Sequence, residues 1–298
     1  MRITFSTSFR DATTEIDRSA EQLAAAERQV SSGRRITKPS DDPSGTSAAI
    51  GDRATLGALD AYTQTADTAT SRLTVVDSAL SDIINKIISA QTAVASGRGS
   101  AAGQSQRDAA AASLQDISDA LLSDFNTQFH GAYLLSGSSA TTSPYTKGIG
   151  GAVSSYQGNA TTVSVDVGQG RALQVAFDGS TIAQGSDVSD VFTVLANLVT
   201  AVKAGDTVGM SQGLDALGRA LDRVTLAQTQ VGTSLEALDD ARARLSAENL
   251  DTNAHLSKTV DANMASAITQ MSQADTAYRA ALVAFSKMGT VSLMDYLK

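Results

Sequence analysis

The sequence has no cysteine and no tryptophan, only three prolines, and aromatic residues make up just 4% of the chain. Without cysteine there is no disulfide framework, no thiolate metal site and no cysteine nucleophile. Rare proline and scarce aromatic residues favour long helices of modest apolar content over one large compact core. With 298 residues, the chain is long enough for one large domain or for two or three smaller ones.

Basic charge and long apolar runs are also scarce. The net charge of −8 argues against a surface that binds nucleic acid or an anionic membrane, since both need clustered lysine and arginine. No apolar run approaches the ~18 residues of a membrane span. Arg2, Asp11, Glu15 and Asp17 interrupt the N-terminus, so no cleaved signal peptide is predicted. Composition alone therefore predicts a cytoplasmic protein, an interpretation that the motifs below revise.

Large apolar residues recur every seven positions near both ends of the chain, as far as Phe285, and the apolar pattern continues through Leu293 and Leu297. We define these residues as the terminal face: Phe9, Ile16, Leu23 and Val30 at the N-terminal end, and Met264, Met271, Tyr278, Phe285, Leu293 and Leu297 at the C-terminal end. Mostly small residues lie between them, so two such helices can interlock as an antiparallel pair. The pattern fits an ordinary bundle within one chain, and it also fits surfaces that are buried between subunits.

Start and stop signals divide the N-terminal half into helices. A first helix is predicted from about Ser6 to Ser32, closed by Gly33 in a left-handed conformation. Asp42 is predicted as the N-cap of the next helix, with Pro43 as its first residue. That helix runs into the nineties, and another is predicted over residues 104–130 with Phe129 on its apolar stripe.

The second half begins with a change of pattern. Residues 135–187 are rich in glycine, serine and threonine and contain two short alternating runs, which predict a small β-rich insert. Helical periodicity returns at residues 189–204 and continues from Met210 in sustained heptads. The predicted fold is therefore mainly α, a long antiparallel helical bundle or coiled coil of N- and C-terminal arms with a β-rich insert. The predicted domains are residues 1–40 with 257–298, residues 41–134 with 188–256, and the exposed insert 135–187.

Catalytic and metal-binding patterns are weak throughout. His130 and His255 lie in different arms, and neither has a second histidine at the spacing of a zinc-binding helix. The acidic pairs are adjacent in sequence, as in Asp239-Asp240, so they diverge by about 100° on a helix and form no dyad. We therefore predict a protein that is not an enzyme, with no catalytic, cofactor-binding or metal site.

Three segments carry a family resemblance. Val30 to Ile36 reads VSSGRRI, Lys38 to Gly45 reads KPSDDPSG, and the chain ends in VSLMDYLK. This combination resembles the flagellin family of bacterial axial proteins. The proline after the paired aspartates, the short insert and the Asp-Tyr-Leu ending are more similar to its hook–filament junction members than to filament subunits. The residues that carry the motif are Ser32, Gly33, Arg35, Ile36, Asp41, Asp42 and Pro43.

The resemblance implies a structural protein of bacterial motility at the hook–filament junction. Such a subunit self-assembles in a ring or tube through its terminal helices. It contacts a hook-side junction protein and flagellin, and an export chaperone covers its C-terminal helix before assembly. It leaves the cell by type III export without a cleaved signal peptide, so its expected location is the extracellular flagellum.

Two alternatives stay open at this point. A short flagellin, the filament subunit, would share every family motif. A cytoplasmic coiled-coil signalling module is the alternative from another class, and it predicts one unbroken helical hairpin with no β insert.

Overall fold

The structure of the protein, a computed structural model, describes residues 5–99, 103–149 and 151–294. Within these residues the fold is mainly α with two small antiparallel strand pairs, which confirms the predicted fold class. None of the described helices is both long enough and apolar enough to cross a membrane. The helices are α1 (Phe5–Ser32), α2 (Pro43–Arg98), α3 (Gln104–Phe125), α4 (Gly179–Ala183), α5 (Val191–Ala204), α6 (Thr207–Val260) and α7 (Met264–Met294). The strands are β1 (Gln128–Phe129), β2 (Ala132–Tyr133), β3 (Ser164–Asp166) and β4 (Ala172–Gln174).

The chain forms two compact units. The terminal unit contains Met1–Ala58 and Ala247–Lys298, and the central unit contains Leu59–Ser246. The long helices α2 and α6 each contribute residues to both units. The three-part division proposed from the sequence stays a prediction.

In the terminal unit, α1 packs against α7. Phe9 near the start of α1 lies beside Phe285 near the end of α7, with ring centroids 5.0 Å apart. Further along α1, Ala25 and Ala26 line a cavity together with Ala274 and Ala277 of α7. Residue numbers therefore rise along α1 as they fall along α7, so the two helices run antiparallel.

The central unit is held by one apolar core that draws on α2, α3, α5 and α6. Heptad positions of α6 are at most 5% exposed, and the apolar stripe of α2 is equally buried. Such complete burial is typical of knobs-into-holes packing. The α6 residues are Leu217, Val224, Val231, Leu238 and Leu245, and those of α2 are Leu73, Val76, Leu80, Ile83, Ile87 and Val94.

Helix α3 ends at Phe125, so the predicted helix to His130 is wrong over its last five residues. The chain instead turns into the β1–β2 hairpin, in which Phe129 pairs with Ala132. Both turn residues have positive φ, 51° at His130 and 80° at Gly131, which is the geometry of a tight two-residue hairpin turn. The local turn chemistry thus prevails over the helical spacing of Phe129.

The predicted alternating runs form the β3–β4 hairpin, in which Val165 pairs with Leu173. Residues of the predicted insert also reach the helical core, because Tyr145 and Phe177 are 1% and 5% exposed. Tyr145 packs edge-on against Phe125 of α3 with ring centroids 5.6 Å apart. The insert therefore combines solvent-facing strands with buried anchors in the central unit.

The backbone at Gly33 gives a test of the fold. Gly33 has φ +67° and ends α1, and a Cβ there would meet no other atom within 4 Å. We expect Gly33→Ala to destabilise the terminal unit by ~1 kcal/mol, because alanine is strained at positive φ. Urea unfolding followed by circular dichroism measures the effect.

Gly51→Ala is the matched control, since Gly51 lies inside α2 and its Cβ would also meet nothing within 4 Å. Alanine is favoured over glycine within a helix, so this variant should be more stable by ~0.5–1 kcal/mol. Equal effects of the two substitutions would contradict the left-handed ending of α1.

Candidate assembly surface and its connectors

Two connectors, residues 33–42 between α1 and α2 and residues 261–263 between α6 and α7, lie side by side and pair through their backbones. Arg34 forms an antiparallel bridge with Asp261. The Arg35 N–H donates to the Val260 carbonyl over 2.7 Å, and the Ala262 N–H donates to the Gly33 carbonyl over 2.9 Å. The α1–α2 connector is therefore fixed to the α6–α7 connector, which brings α1 alongside α7.

The side chain of Arg35 strengthens this junction. Its Nη2 donates to Asp42 Oδ2 over 3.0 Å and to the Thr259 carbonyl over 2.8 Å. One guanidinium thus joins the first turn region of α2 to the last turn of α6. The Ser32 hydroxyl accepts the Arg34 N–H over 3.3 Å, which closes the end of α1 locally.

The paired aspartates fold the connector by accepting hydrogen bonds. Asp41 Oδ2 accepts the N–H groups of Thr37 and Lys38 over 3.0 and 2.8 Å. Asp42 Oδ1 accepts the Gly45 N–H over 2.8 Å, so the predicted N-cap is confirmed, and α2 begins at Pro43 as expected.

The same hydrogen bonds hold both carboxylates ionised. The Gly45 N–H, followed by the Ser44 hydroxyl and Arg35, lowers the pKa of Asp42 to about 2. The pKa of Asp41 is also lowered, chiefly by the Lys38 N–H. A Cβ at Gly45 would lie 2.6 Å from both Asp42 Oδ2 and the Ile36 Cδ1 atom, so a larger residue there would displace the capping carboxylate or the Ile36 side chain.

The terminal face is only partly covered by the α1–α7 pair. Phe9 and Met264 remain 47% and 42% exposed, while the small residues Ala26 and Ala267 are 8% and 1% exposed. The other described members of the face are partly exposed: Ile16, Leu23, Val30, Met271, Tyr278 and Phe285. The side chain of Leu293 and all of Leu297 lie outside the described residues.

Further apolar residues of α7 that the heptad count missed widen this surface. Ile268 and Leu282 are 50% and 40% exposed. Ile268 and Leu282 each lie four residues after a heptad position, a spacing that places them on the same helix face. Counting that spacing as well as the seven-residue repeat would have found them.

The two histidines lie apart. His130 occupies the β1–β2 turn of the central unit. His255 Nδ1 lies 2.7 Å from Asp52 Oδ2 in the terminal unit, a contact that joins residues 203 positions apart in sequence. Within the described ranges, no three histidine, aspartate or glutamate side chains cluster in a way that could hold a metal ion. The chemistry of this surface is packing between apolar side chains.

Sequence profiles of two regions of one family match the chain. Bacterial flagellin N-terminal helical region covers residues 6–140, and Bacterial flagellin C-terminal helical region covers residues 214–297. Flagellar hook-associated protein 3 of Salmonella typhimurium is 24% identical, with 99% of each chain covered. The protein of that name from Escherichia coli is also 24% identical, with 91% of each chain covered.

Solved structures share the fold. A flagellar hook-associated protein of Vibrio parahaemolyticus matches with a TM-score of 0.69 and 20% identity, covering 74% of this chain and 100% of that one. The FlgL structure from Xanthomonas campestris matches with a TM-score of 0.62 and 17% identity, covering 70% and 99%. The flagellar junction protein FlgL of Legionella pneumophila matches with a TM-score of 0.58 and 15% identity, covering 72% and 100%.

Hydrogen exchange on the free chain tests the difference in burial between the α1–α7 pair and the core of the central unit. We expect amides of residues 9–32 and 264–287 to exchange near the unfolded rate, because the α1–α7 pair buries mainly alanines. Amides of residues 217–245 should be strongly protected by the core of the central unit. Equal protection of the two regions, measured by mass spectrometry, would contradict this assignment.

Acid should weaken the connector. A lowered carboxyl pKa adds stability above the unfolded value of 3.8, and this contribution disappears as the pH falls through about 2. The midpoint temperature of thermal unfolding should therefore fall less steeply between pH 5 and pH 2 in Asp42→Asn than in the wild type. Asp17→Asn, at an exposed position of α1, should keep the wild-type slope. If the unfolding temperature of all three proteins falls with pH at the same slope, the Asp42 contacts do not stabilise the fold.

Proposed function

The chain belongs to the bacterial flagellin family, and we propose that it is a structural subunit of the flagellum at the hook–filament junction. The relatives described above carry the name hook-associated protein 3, and one solved structure is described as a flagellar junction protein. The flagellin profiles cover both helical arms of this chain. In this role the protein works mechanically and catalyses no reaction.

The observation that carries the proposal is the incomplete terminal face. Phe9 and Phe285 contact each other, yet Phe9 stays 47% exposed. Burying a large apolar side chain stabilises by ~1.5–3 kcal/mol, so neighbouring subunits that cover this face would gain substantially. That incomplete burial supports self-assembly through the terminal helices into a ring or tube.

The implied partners lie on both sides of the assembly. Copies of the chain would contact one another within the ring or tube, a hook-side junction protein would lie below, and flagellin above. Before assembly, an export chaperone would cover the exposed apolar residues of α7. The protein would act in the extracellular flagellum after export without a cleaved signal peptide.

The two alternatives are less well supported. A coiled-coil signalling hairpin would be unbroken, whereas here connectors interrupt the helices at residues 33–42 and 261–263, and two β-hairpins are present. A short flagellin would be present in many copies along the filament. Quantifying this chain against flagellin in sheared flagella distinguishes the roles, because a junction protein should be a small fraction of the total.

A charge placed on the terminal face tests the assembly role. We expect Phe285→Asp to reduce incorporation into flagella at least tenfold, because it places a carboxylate against Phe9 and against any subunit that covers the face. Incorporation is measured by immunoblotting of sheared flagella against the amount exported to the medium. Cells carrying the variant should shed flagellin into the medium.

Ala284→Asp is the matched control, because Ala284 is exposed on the same turn of α7 and points about 100° away from Phe285. This variant should be exported and incorporated within twofold of the wild type. Normal incorporation of Phe285→Asp would refute assembly through this face. Failure of both variants would instead indicate that α7 tolerates no added charge.

A further inference from the structure

Arg72 of α2 is a half-buried cation without a carboxylate partner. Its Nε donates to the Val175 carbonyl over 2.9 Å, while its two Nη nitrogens make no hydrogen bond to any described residue. Burial lowers the pKa of Arg72, so its surroundings disfavour the charge. By contrast, Arg223 of the same unit contacts Asp187 as well as two backbone carbonyls. A partly desolvated guanidinium normally has such partners.

Arg72 lines an open groove of about 720 Å³ between α2 and the β3–β4 hairpin, within the central unit. Val163, Val165 and Val175 form the hairpin side. On the α2 side, the hydroxyls of Thr65 and Thr68 donate to carbonyls one turn earlier, each over 2.9 Å. The donors of these hydroxyls are satisfied within the helix, and Gln64 and Ser138 are the other polar side chains of the lining. The groove therefore combines an apolar hairpin side with one positive charge that lacks a carboxylate partner.

A ligand that fits this groove would carry a carboxylate for Arg72 and, one helical turn away, an apolar side chain for the valines. Asp222 and Leu226 on α6 of the central unit form such a pair. Leu226 is 61% exposed, and Asp222 is exposed and forms no ion pair with any residue in the described ranges. Residues four apart share a helix face. The nearest arginines in sequence, Arg219 and Arg223, are already paired with Asp187.

We propose that the groove beside Arg72 is a docking site for a second copy of this chain, which inserts Leu226 between the valines and α2 and places Asp222 against the Arg72 guanidinium. The groove and the Asp222–Leu226 face are different surfaces, so the contact is head-to-tail. Such contacts close into a ring when the rotation between copies permits. The proposal rests on the proposed function, which places many copies side by side.

Site-directed cross-linking tests the contact directly, because the natural chain contains no thiol. Thr68→Cys lies in the groove, and Thr229→Cys lies on the same α6 face as Leu226. Flagella that contain the double variant, treated with a short bis-maleimide, should yield a ladder of covalent dimers, trimers and larger species. Neither single variant should form the ladder.

A charge exchange then tests the pairing. Arg72→Glu and Asp222→Arg, each added to the double-cysteine chain, should lower the cross-link yield at least tenfold, and the two together should restore it to within twofold. Asp222 is exposed and unpaired, so its substitution perturbs the contact without threatening the fold. Arg53→Glu, at an exposed position of the same helix α2, should leave the yield unchanged.

The outcomes separate the two proposals. If the wild-type chain is missing from flagella, the proposed function and this contact both fail. If the chain is present but no ladder forms, or the charge variants cross-link like the parent, only the contact is overturned. A cross-link from Thr68→Cys to a different flagellar protein would equally overturn a second copy as the occupant.

Discussion

The pairing of the two connectors is the constraint on which the terminal unit depends. Helix α1 ends at Ser32 and α7 begins at Met264, so the two can lie side by side only if the connectors that follow α1 and precede α7 are adjacent. The Arg34–Asp261 bridge and the two hydrogen bonds of Arg35 Nη2 ensure this. The connector thus sets the register of α1 against α7, and that register decides which apolar residues meet and which remain exposed.

The two units are stabilised to very different degrees. In the central unit, heptad residues of α6 are almost completely buried, whereas the α1–α7 pair buries alanines and leaves its large side chains partly in water. Ordering each residue costs about 1–2 kcal/mol in backbone entropy, and a pair of helices must recover that cost from burial. A pair with little burial of its own gains most from additional surface. We therefore predict that the central unit is ordered by its own core, and that the α1–α7 pair becomes firmly ordered only beside neighbouring subunits.

The sequence predicted what depends on local or periodic signals: the helical arms, the Gly33 ending, the Asp42 cap and the β3–β4 hairpin. It predicted the pairing of the terminal helices from their matching apolar repeats. It could not predict individual hydrogen bonds between distant positions, such as Arg35 with Thr259, because spacing along the chain carries no information about them. The end of α3 was misplaced because Phe129 fits a helical stripe, and the positive φ of the His130-Gly131 turn depends on the folded hairpin. Ile268 was missed because it lies four residues after a position of the seven-residue repeat.

Composition also understates how apolar the long helices are. On α2, the hydroxyls of threonine residues donate to the carbonyl four residues earlier, so each hydroxyl donor is satisfied within the helix and the methyl groups add apolar surface. A helix that reads as polar in sequence therefore presents a partly apolar surface to a neighbour, and it does so without the large side chains that would make the free chain aggregate. Few aromatic residues and many threonines thus give the long helices a surface of mostly small apolar and hydroxyl groups.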